Sequence, residues 1–419
     1  MSKAGVVGCV VMQLDDLDRW RDSFDAFHAR FAHLFARRES REQAAKYLRG
    51  LLTPAERKNG WQVAEAVGDA TPDRMQRLLY RVDWDADAAR DILQCFVIET
   101  FGHRNGIGVL DETGFLKKGT HSVGVQRQYS GTAGKVENCQ MGVFLTYSTP
   151  TGHVFLDRRL YLPEGWCDDA SRRTDAQVPQ EVVFQTKPEQ GIAMLEHAWE
   201  QGVPMRWVTG DEVYGDNPRL RETVQEHGRG YVLAVSSTTP VWTERPPTED
   251  PIRTTGGRPR TKVRLGPDAP PATTVGAVVA NWSTVRWQRF SVAEGDKGPR
   301  VYDWGRAGVI ESRHQLPGPE VWLLARRSVC DPTEVAYYLA LAPWETALEE
   351  MAGVAATRYT VEQCIEEAKG ETGLDQYEVR YWTSWHRHIT LSMLAHAWLA
   401  ALRSTEDAKK GLPLRSWHA

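Results

Sequence analysis

Near residue 103 the spacing of apolar residues changes from steps of three and four to steps of two, and this switch limits what the chain can become. Before it, Trp20, Phe24, Phe27, Phe31, Leu34 and Phe35 recur at the spacing of one buried helical face. A second helix is expected near Glu42 to Leu52. Thr53-Pro54-Ala55-Glu56 then offers a capping hydroxyl, a proline at the first helical position and a glutamate three residues on, which predicts a helix start. Thr71-Pro72 opens another helix, with Met75, Leu78 and Leu79 inward and Arg74, Gln76, Arg77 and Arg81 outward. After residue 103 come the strands "IGVLD", "ENCQMGVFLTYS" and "GHVFLDRRLYL", the last two joined by the hairpin turn "TPTG". Helix "PEQGIAMLEHAWEQG", strand "MRWVTGD", a helix from about Pro218 and strand "GYVLAVS" follow. Antiparallel strands followed by helix, strand, helix, strand predict a mixed α/β sheet.

The Pro- and Thr-rich "SSTTPVWTERPPTEDP" opens a separate block. Its short, Trp-rich segments "TKVRL", "GAVVANW", "VRWQRFSV", "VYDWGRA" and "EVWLLARRS" predict an all-β insertion. Helices are expected to resume at "PTEVAYYLALA" and to run through "EVRYWTSWHRHITLSMLAHAWLAALR". The expected organisation is a helical domain over 1–102, a core over 103–235, a β-rich insertion over 236–334, the rest of the core over 335–403 and a tail over 404–419.

Charge is distributed unevenly. The net charge is only −4, yet no acid occurs between Thr113 and Val136, where Lys117, Lys118, Arg127 and Lys135 stand. Arg253, Arg258, Arg260, Lys262 and Arg264 form a second acid-free run. Two basic loops in a mildly acidic chain are solvated surface or segregated phosphate contacts. The two short helices before residue 82, joined by a Gly-containing turn with arginines on the second, resemble a helix-turn-helix; a plain helical bundle fits the same pattern. The opening "MSKAGVVGCVVMQL" is too short and weakly flanked for a signal peptide or membrane span, which implies a cytosolic protein. Six scattered cysteines, Cys9, Cys95, Cys139, Cys167, Cys330 and Cys364, have no metal-ligand or disulfide spacing and are expected to be reduced.

The chemistry is expected where apolar runs end in carboxylates. Asp111 closes "IGVL" and Asp211 closes "MRWVTG", and in the predicted sheet both lie at carboxyl ends of neighbouring strands. In the acidic helix "TRYTVEQCIEEAKGETGLDQYEVR", Val361, Cys364, Ile365 and Ala368 form the apolar stripe. Arg358, Glu362 and Lys369 fall together at its edge, Glu366 lies farther round, and Glu367 points away. Two aspartates and a glutamate offer the oxygen ligands that a pair of Mg²⁺ ions requires, one to activate water and one to stabilise the leaving oxygen of a phosphodiester.

This arrangement resembles the DDE-superfamily transposases of bacterial insertion sequences. The similarity runs from about His103 to Arg403 and rests on the element order and on "LDETGFLKKG", "VTGDEVYGD" and "GLDQYEVRYWTSWHRHITLSMLA". Relatives with a β insertion carry a Tyr, Arg, Glu, Lys signature; Arg358, Glu362 and Lys369 keep its last two spacings, while Ala355 stands where the tyrosine would be. The resemblance implies an RNase H-like mixed sheet flanked by helices, with an N-terminal helical DNA-binding domain and an all-β insertion. It implies that Asp111, Asp211 and Glu362 bind two catalytic Mg²⁺ ions, for which Mn²⁺ can substitute, and that Arg358 and Lys369 contact phosphates of the transposon end. Further DNA contacts are expected from Lys117, Lys118, Arg74, Arg77, Arg258, Arg260 and Lys262. The partners implied are double-stranded DNA, as transposon ends and target, and a second copy of the chain in a synaptic complex. The location implied is the cytoplasm, on the nucleoid when bound to DNA. Two other readings share these residues: an inactive relative that binds DNA without cutting it, and a metal-independent hydrolase using Asp111 and Asp211 as acid and base. Cys364, His386 and His388 would be an alternative zinc set, but their Trp-rich helix predicts buried structural histidines.

Overall fold

The computed structural model describes residues 14–131, 133–251, 262–295 and 298–409. Five helices come first: α1 Leu14–Ala29, α2 Arg38–Leu51, α3 Gly60–Ala66, α4 Asp73–Tyr80 and α5 Ala86–Phe101. Phe24, Phe27, Phe31 and Phe35 are buried, as their spacing predicts. No helix starts at Thr53. Its hydroxyl donates back to Gly50 O at 2.7 Å, so it serves the end of α2. Asn59 supplies the cap instead, accepting from Trp61 N at 3.0 Å and Gln62 N at 3.1 Å. On α4, Met75, Leu78 and Leu79 face inward while Arg74 and Arg77 are exposed.

The strands β1 Gly106–Leu116, β2 Gln126–Ser130, β3 Lys135–Thr149 and β4 Gly152–Tyr161 follow. Two short helices, α6 Glu164–Cys167 and α7 Ala170–Asp175, lead to α8 Lys187–Glu200, then β5 Met205–Gly210, α9 Glu212–Gly215, α10 Pro218–Glu226 and β6 Gly230–Val235. In the sheet β4 pairs β3, β3 pairs β1, and both pairings are antiparallel; β1 pairs β5 and β5 pairs β6 in parallel. The order β4-β3-β1-β5-β6 with this mix of directions is that of an RNase H-like core. β1 is longer than "IGVLD" suggests, because its second half continues the antiparallel pairing with β3 to Leu116↔Cys139. Asp111 therefore lies within β1 and not at its end.

The insertion contains β7 Pro240–Trp242, β8 Thr248–Glu249, β9 Arg264–Leu265, β10 Thr273–Thr274, α11 Val275–Ala280, β11 Gln288–Gly295, β12 Gly298–Arg313 and β13 Leu316–Ser328. It is not all-β: "GAVVANW" forms most of α11, begun by Thr274 accepting from Ala277 N at 3.2 Å. Nor do helices resume at "PTEVAYYLALA", where β14 Val335–Leu341 pairs β6 on one side and β13 on the other. A short apolar run with two tyrosines is compatible with either element, and pairing partners decide it. Through β14 the insertion's strands extend the core sheet without a break.

Two long helices complete the structure, α12 Leu348–Thr372 and α13 Trp382–Lys409, so residues 404–409 of the expected tail are helical. α12 lays Val361, Cys364, Ile365 and Ala368 into the core and ends at Gly373, whose φ of 65° is the left-handed cap that glycine tolerates. α13 is buried against α5, α4, α2 and β4. Tyr47 Oη and His388 Nδ1 are 2.8 Å apart across this contact, and Arg387 donates to Leu79 O and Trp84 O. Burial lowers His386 and His388 to about 4 each, and both are engaged with backbone: His386 Nδ1 lies 3.0 Å from Trp382 O and His388 Nε2 3.0 Å from Gly373 O. None of Cys95, Cys139, Cys167, Cys330 and Cys364 is in a disulfide, and no described helix is long and apolar enough to cross a membrane.

Candidate active site

The parallel pairing of β1 and β5 ends at Leu110↔Gly210. The next residue on each strand is an aspartate, so Asp111 and Asp211 emerge side by side, at strand spacing of about 5 Å between backbones. Asp111 accepts from Glu112 N at 2.8 Å, and Asp211 caps α9 by accepting from Val213 N at 3.0 Å. Burial and then the charge of Asp211 push the Asp111 carboxyl up to about 7. Burial and then the charge of Glu112 raise Asp211. Two buried carboxyls, each raised further by a neighbouring carboxylate, mark a place where positive charge is wanted.

α12 crosses above this point. Arg358 stands 3.0 Å from Glu362 Oε1 and 3.9 Å from Asp111 Oδ2, bridging the helix to the strand. Glu362 is half exposed and not pressed against the core, because its carboxylate reaches back one turn to the guanidinium. Among the described residues no three His, Cys, Asp or Glu side chains stand close enough to share one ion. Lys369, about two turns further along the same face of α12, donates to Thr113 Oγ1 at 2.8 Å, two residues beyond Asp111 on β1. Glu367 does point away from Glu362, but into a contact with His153 at 3.3 Å, His396 at 3.5 Å and Arg403 at 3.1 Å. Ala355 is packed in the core; Tyr359, beside Arg358, accepts from Arg326 Nη1 at 3.0 Å.

The structure thus sets Asp111 beside Asp211, links Asp111 to Glu362 through Arg358 and places Lys369 against β1, without gathering the three carboxylates at one point. The other expected contact residues lie elsewhere. Lys117 is not a free cation: burial lowers it to about 8, it donates to Tyr377 O at 3.0 Å, and it sits 3.6 Å over the Tyr377 ring. It lines a cleft of about 670 Å³ with Arg57, Lys118 and Arg380, between the N-terminal helices and the α12–α13 turn. Lys118, Arg74, Arg77 and Lys262 are exposed. Arg258 and Arg260 lie outside the described residues.

Three neighbours of the aspartates escaped the sequence reading. Glu112 accepts from Tyr214 Oη at 2.9 Å and pairs with Lys187 at 2.5 Å. Tyr214 could have been noticed within "VTGDEVYGD", three residues after Asp211; Lys187 opens α8 and has no local signal. α9 itself is seated by Gly215, where a Cβ would collide with Ala234 O on β6. Gly215→Ala is therefore expected to displace α9 and Asp211. It should lower the urea midpoint and abolish whatever activity Asp211 supports, whereas Gly228→Ala, at a φ of 65° and in open space, should only cost about 1 kcal/mol.

A sequence profile of the family described as DDE superfamily endonuclease matches residues 30–299, well over half of the chain, and includes Asp111 and Asp211 but stops before Glu362. A probable transposase for insertion sequence element IS701 from Microchaete diplosiphon is 27% identical over 198 residues. That stretch is 46% of this chain and 49% of the relative, so the match spans about half the length of each. Among solved structures, the piggyBac transposase synaptic complex with hairpin DNA aligns over 95% of this chain and 75% of its own, at 12% identity and a TM-score of 0.41. The NurA nuclease from Sulfolobus solfataricus aligns over 71% of this chain and 94% of its own, at 10% identity and a TM-score of 0.25. Superpositions this loose leave the fold to be read from strand order and direction.

Proposed function

The chain belongs to the DDE superfamily endonucleases, and on that premise we propose that it is the DNA transposase of an insertion sequence, cutting and joining DNA at the element's ends. The observation that carries this reading is the pair Asp111 and Asp211, adjacent at the end of the β1–β5 pairing, each raised by burial and by a neighbouring carboxylate. Such a pair, with Glu362 one helix away, fits hard divalent cations: every donor is a carboxylate oxygen, and Arg358 is the cation that bridges Asp111 and Glu362. Asp111, Asp211 and Glu362 would hold two Mg²⁺ ions. When bound, these would lower the pKa of an attacking water or 3′-hydroxyl and stabilise the leaving oxygen.

The protein's own groups prepare that chemistry. Burial and Asp211 raise Asp111 to about 7, so a cation arriving beside it would favour its ionised, ligating form. Arg358 is placed to exchange its carboxylate partners for a phosphate oxygen, which would free Glu362 to turn toward the aspartates. Lys369, braced on Thr113, would hold a second phosphate beside β1. Exposed Arg74 and Arg77 on α4, with Lys118 and Lys262, would add backbone contacts outside the site. Two ends must be cut together, so the working assembly would be a dimer on terminal inverted repeats.

The direct test is cleavage of labelled DNA carrying the flanking element's ends, with Mg²⁺ or EDTA. Nicking that needs metal and is lost in Asp211→Ala and Glu362→Ala, while those variants still bind the ends, is the expected result. Binding without nicking under any metal would mean a DNA-binding relative. Activity that survives EDTA would turn the aspartates into an acid and base for another polymer.

A further inference from the structure

The reading above leaves one largely buried polar link unused. β1 and β5 stop pairing at Leu110↔Gly210, so no sheet hydrogen bond fixes Asp211 against Asp111. α9, which Asp211 caps, is a single turn of four residues. Its backbone closes on the same aspartate, with Gly215 N donating to Asp211 O at 2.8 Å and Tyr214 N at 3.2 Å. Tyr214 is wholly buried on that turn and donates its hydroxyl to Glu112 Oε2 at 2.9 Å. Glu112 follows Asp111 in the chain and is set by the same β1–β3 register, opposite Val143. Its other oxygen meets Lys187 Nζ at 2.5 Å, and only 15% of the side chain is exposed. A covalent and hydrogen-bonded path thus runs from Asp111 through Glu112 and Tyr214 to Asp211.

We propose that Glu112 is a positioning residue: through Tyr214 it holds Asp211 beside Asp111, and Lys187 is the cation that allows a third carboxylate so close to the pair. The inference rests on the reading of the aspartates as metal ligands. Left to their charges alone, two buried carboxylates would separate; Gly215 and Arg221 seat the far end of α9 against β6, and the Tyr214–Glu112 hydrogen bond ties the same turn to β1. The link resists that separation in the absence of metal, so the ligands do not have to be gathered when the ion binds.

The test uses the full-length protein and Mn²⁺ alone, with free ion followed by electron paramagnetic resonance, beside thermal melting in EDTA and end-DNA binding. Tyr214→Phe removes only the hydroxyl and is expected to weaken Mn²⁺ binding about 10-fold. Glu112→Leu, which removes the acceptor, should match it, and the double variant should be no worse than either. Glu112→Gln keeps an acceptor for Tyr214 and should stay within about 3-fold of the parent, since hydrogen bonding and not charge carries the role. DNA binding should not change in any of them. Parent-like Mn²⁺ affinity in Tyr214→Phe would overturn the proposal, and so would loss of all binding in Glu112→Gln with none in Tyr214→Phe, which would make Glu112 a ligand. Failure of the underlying reading looks different: Asp111→Asn would then bind Mn²⁺ as well as the parent does, and the inference would fall with it.

Discussion

Asp111→Asn is expected to abolish cleavage and, in the same protein, to raise the melting temperature measured in EDTA. The first effect follows from removing a proposed ligand and should be on the order of a thousand-fold or more. The second follows from the displacement of the Asp111 carboxyl from its ordinary 3.8 to about 7, caused first by burial and then by Asp211. A carboxyl whose folded value lies above its unfolded one favours the fold when protonated and opposes it when ionised. Its penalty is absent below about pH 4, grows between pH 4 and 7, and is complete above 7. At about 1.4 kcal/mol per unit the shift caps the penalty near 4 kcal/mol, and residual solvation brings the expected gain to about 1–3 kcal/mol, or a few degrees. Melting at pH 8 and pH 4.5 checks the sign: the variant should be the more stable at pH 8, and the difference should shrink toward pH 4.5. A variant less stable than the parent at both pH values would make Asp111 a structural strut.

Glu311→Ala should have the largest effect on stability. Glu311 is fully buried on β12 and accepts from Arg221 Nε at 2.6 Å, Tyr231 Oη at 2.9 Å and Arg313 Nε at 2.9 Å. Arg221, 1% exposed, also donates to Gly215 O, so this one carboxylate ties the insertion to α10, β6 and the end of α9. Removing it strands a buried guanidinium, at a cost of about 3–5 kcal/mol. Burial alone would raise the Glu311 carboxyl, but Arg221 and Arg313 override it and hold it below its ordinary value. Its contribution is therefore present above the unfolded carboxyl value, about 4.3, and is lost as pH falls through the lower folded value. Urea denaturation at pH 7 should show the full loss for Glu311→Ala and a smaller one for Glu311→Gln. A change under 1 kcal/mol for Glu311→Ala would mean that water reaches the cluster.

The aspartates were legible in the sequence because both follow apolar runs, and a parallel pair of strands delivers the next residue of each to the same place. The glutamate helix was legible too, since Arg358, Glu362 and Lys369 keep a helical spacing against the stripe of Val361, Cys364, Ile365 and Ala368. What the sequence concealed was partnership at long range. Nothing near Lys117 announces Tyr377, nothing near Glu112 announces Lys187, and "VAYYLAL" becomes a strand only because β6 and β13 leave a gap of one strand's width. Thr53 misled for the opposite reason: its capping pattern is sound locally, but its hydroxyl was already taken by Gly50 O.

The continuity of the sheet from β6 through β14 into the insertion also bears on synthesis at the ribosome. α12 emerges only after the whole insertion, and it packs over β1, β5 and β6, the last of which pairs β14. A nascent chain that has delivered Asp111 and Asp211 still lacks Glu362 and Arg358, and a chain released early lacks them permanently. If the proposed function holds, truncated products would be unable to cut DNA, however well their N-terminal helices fold.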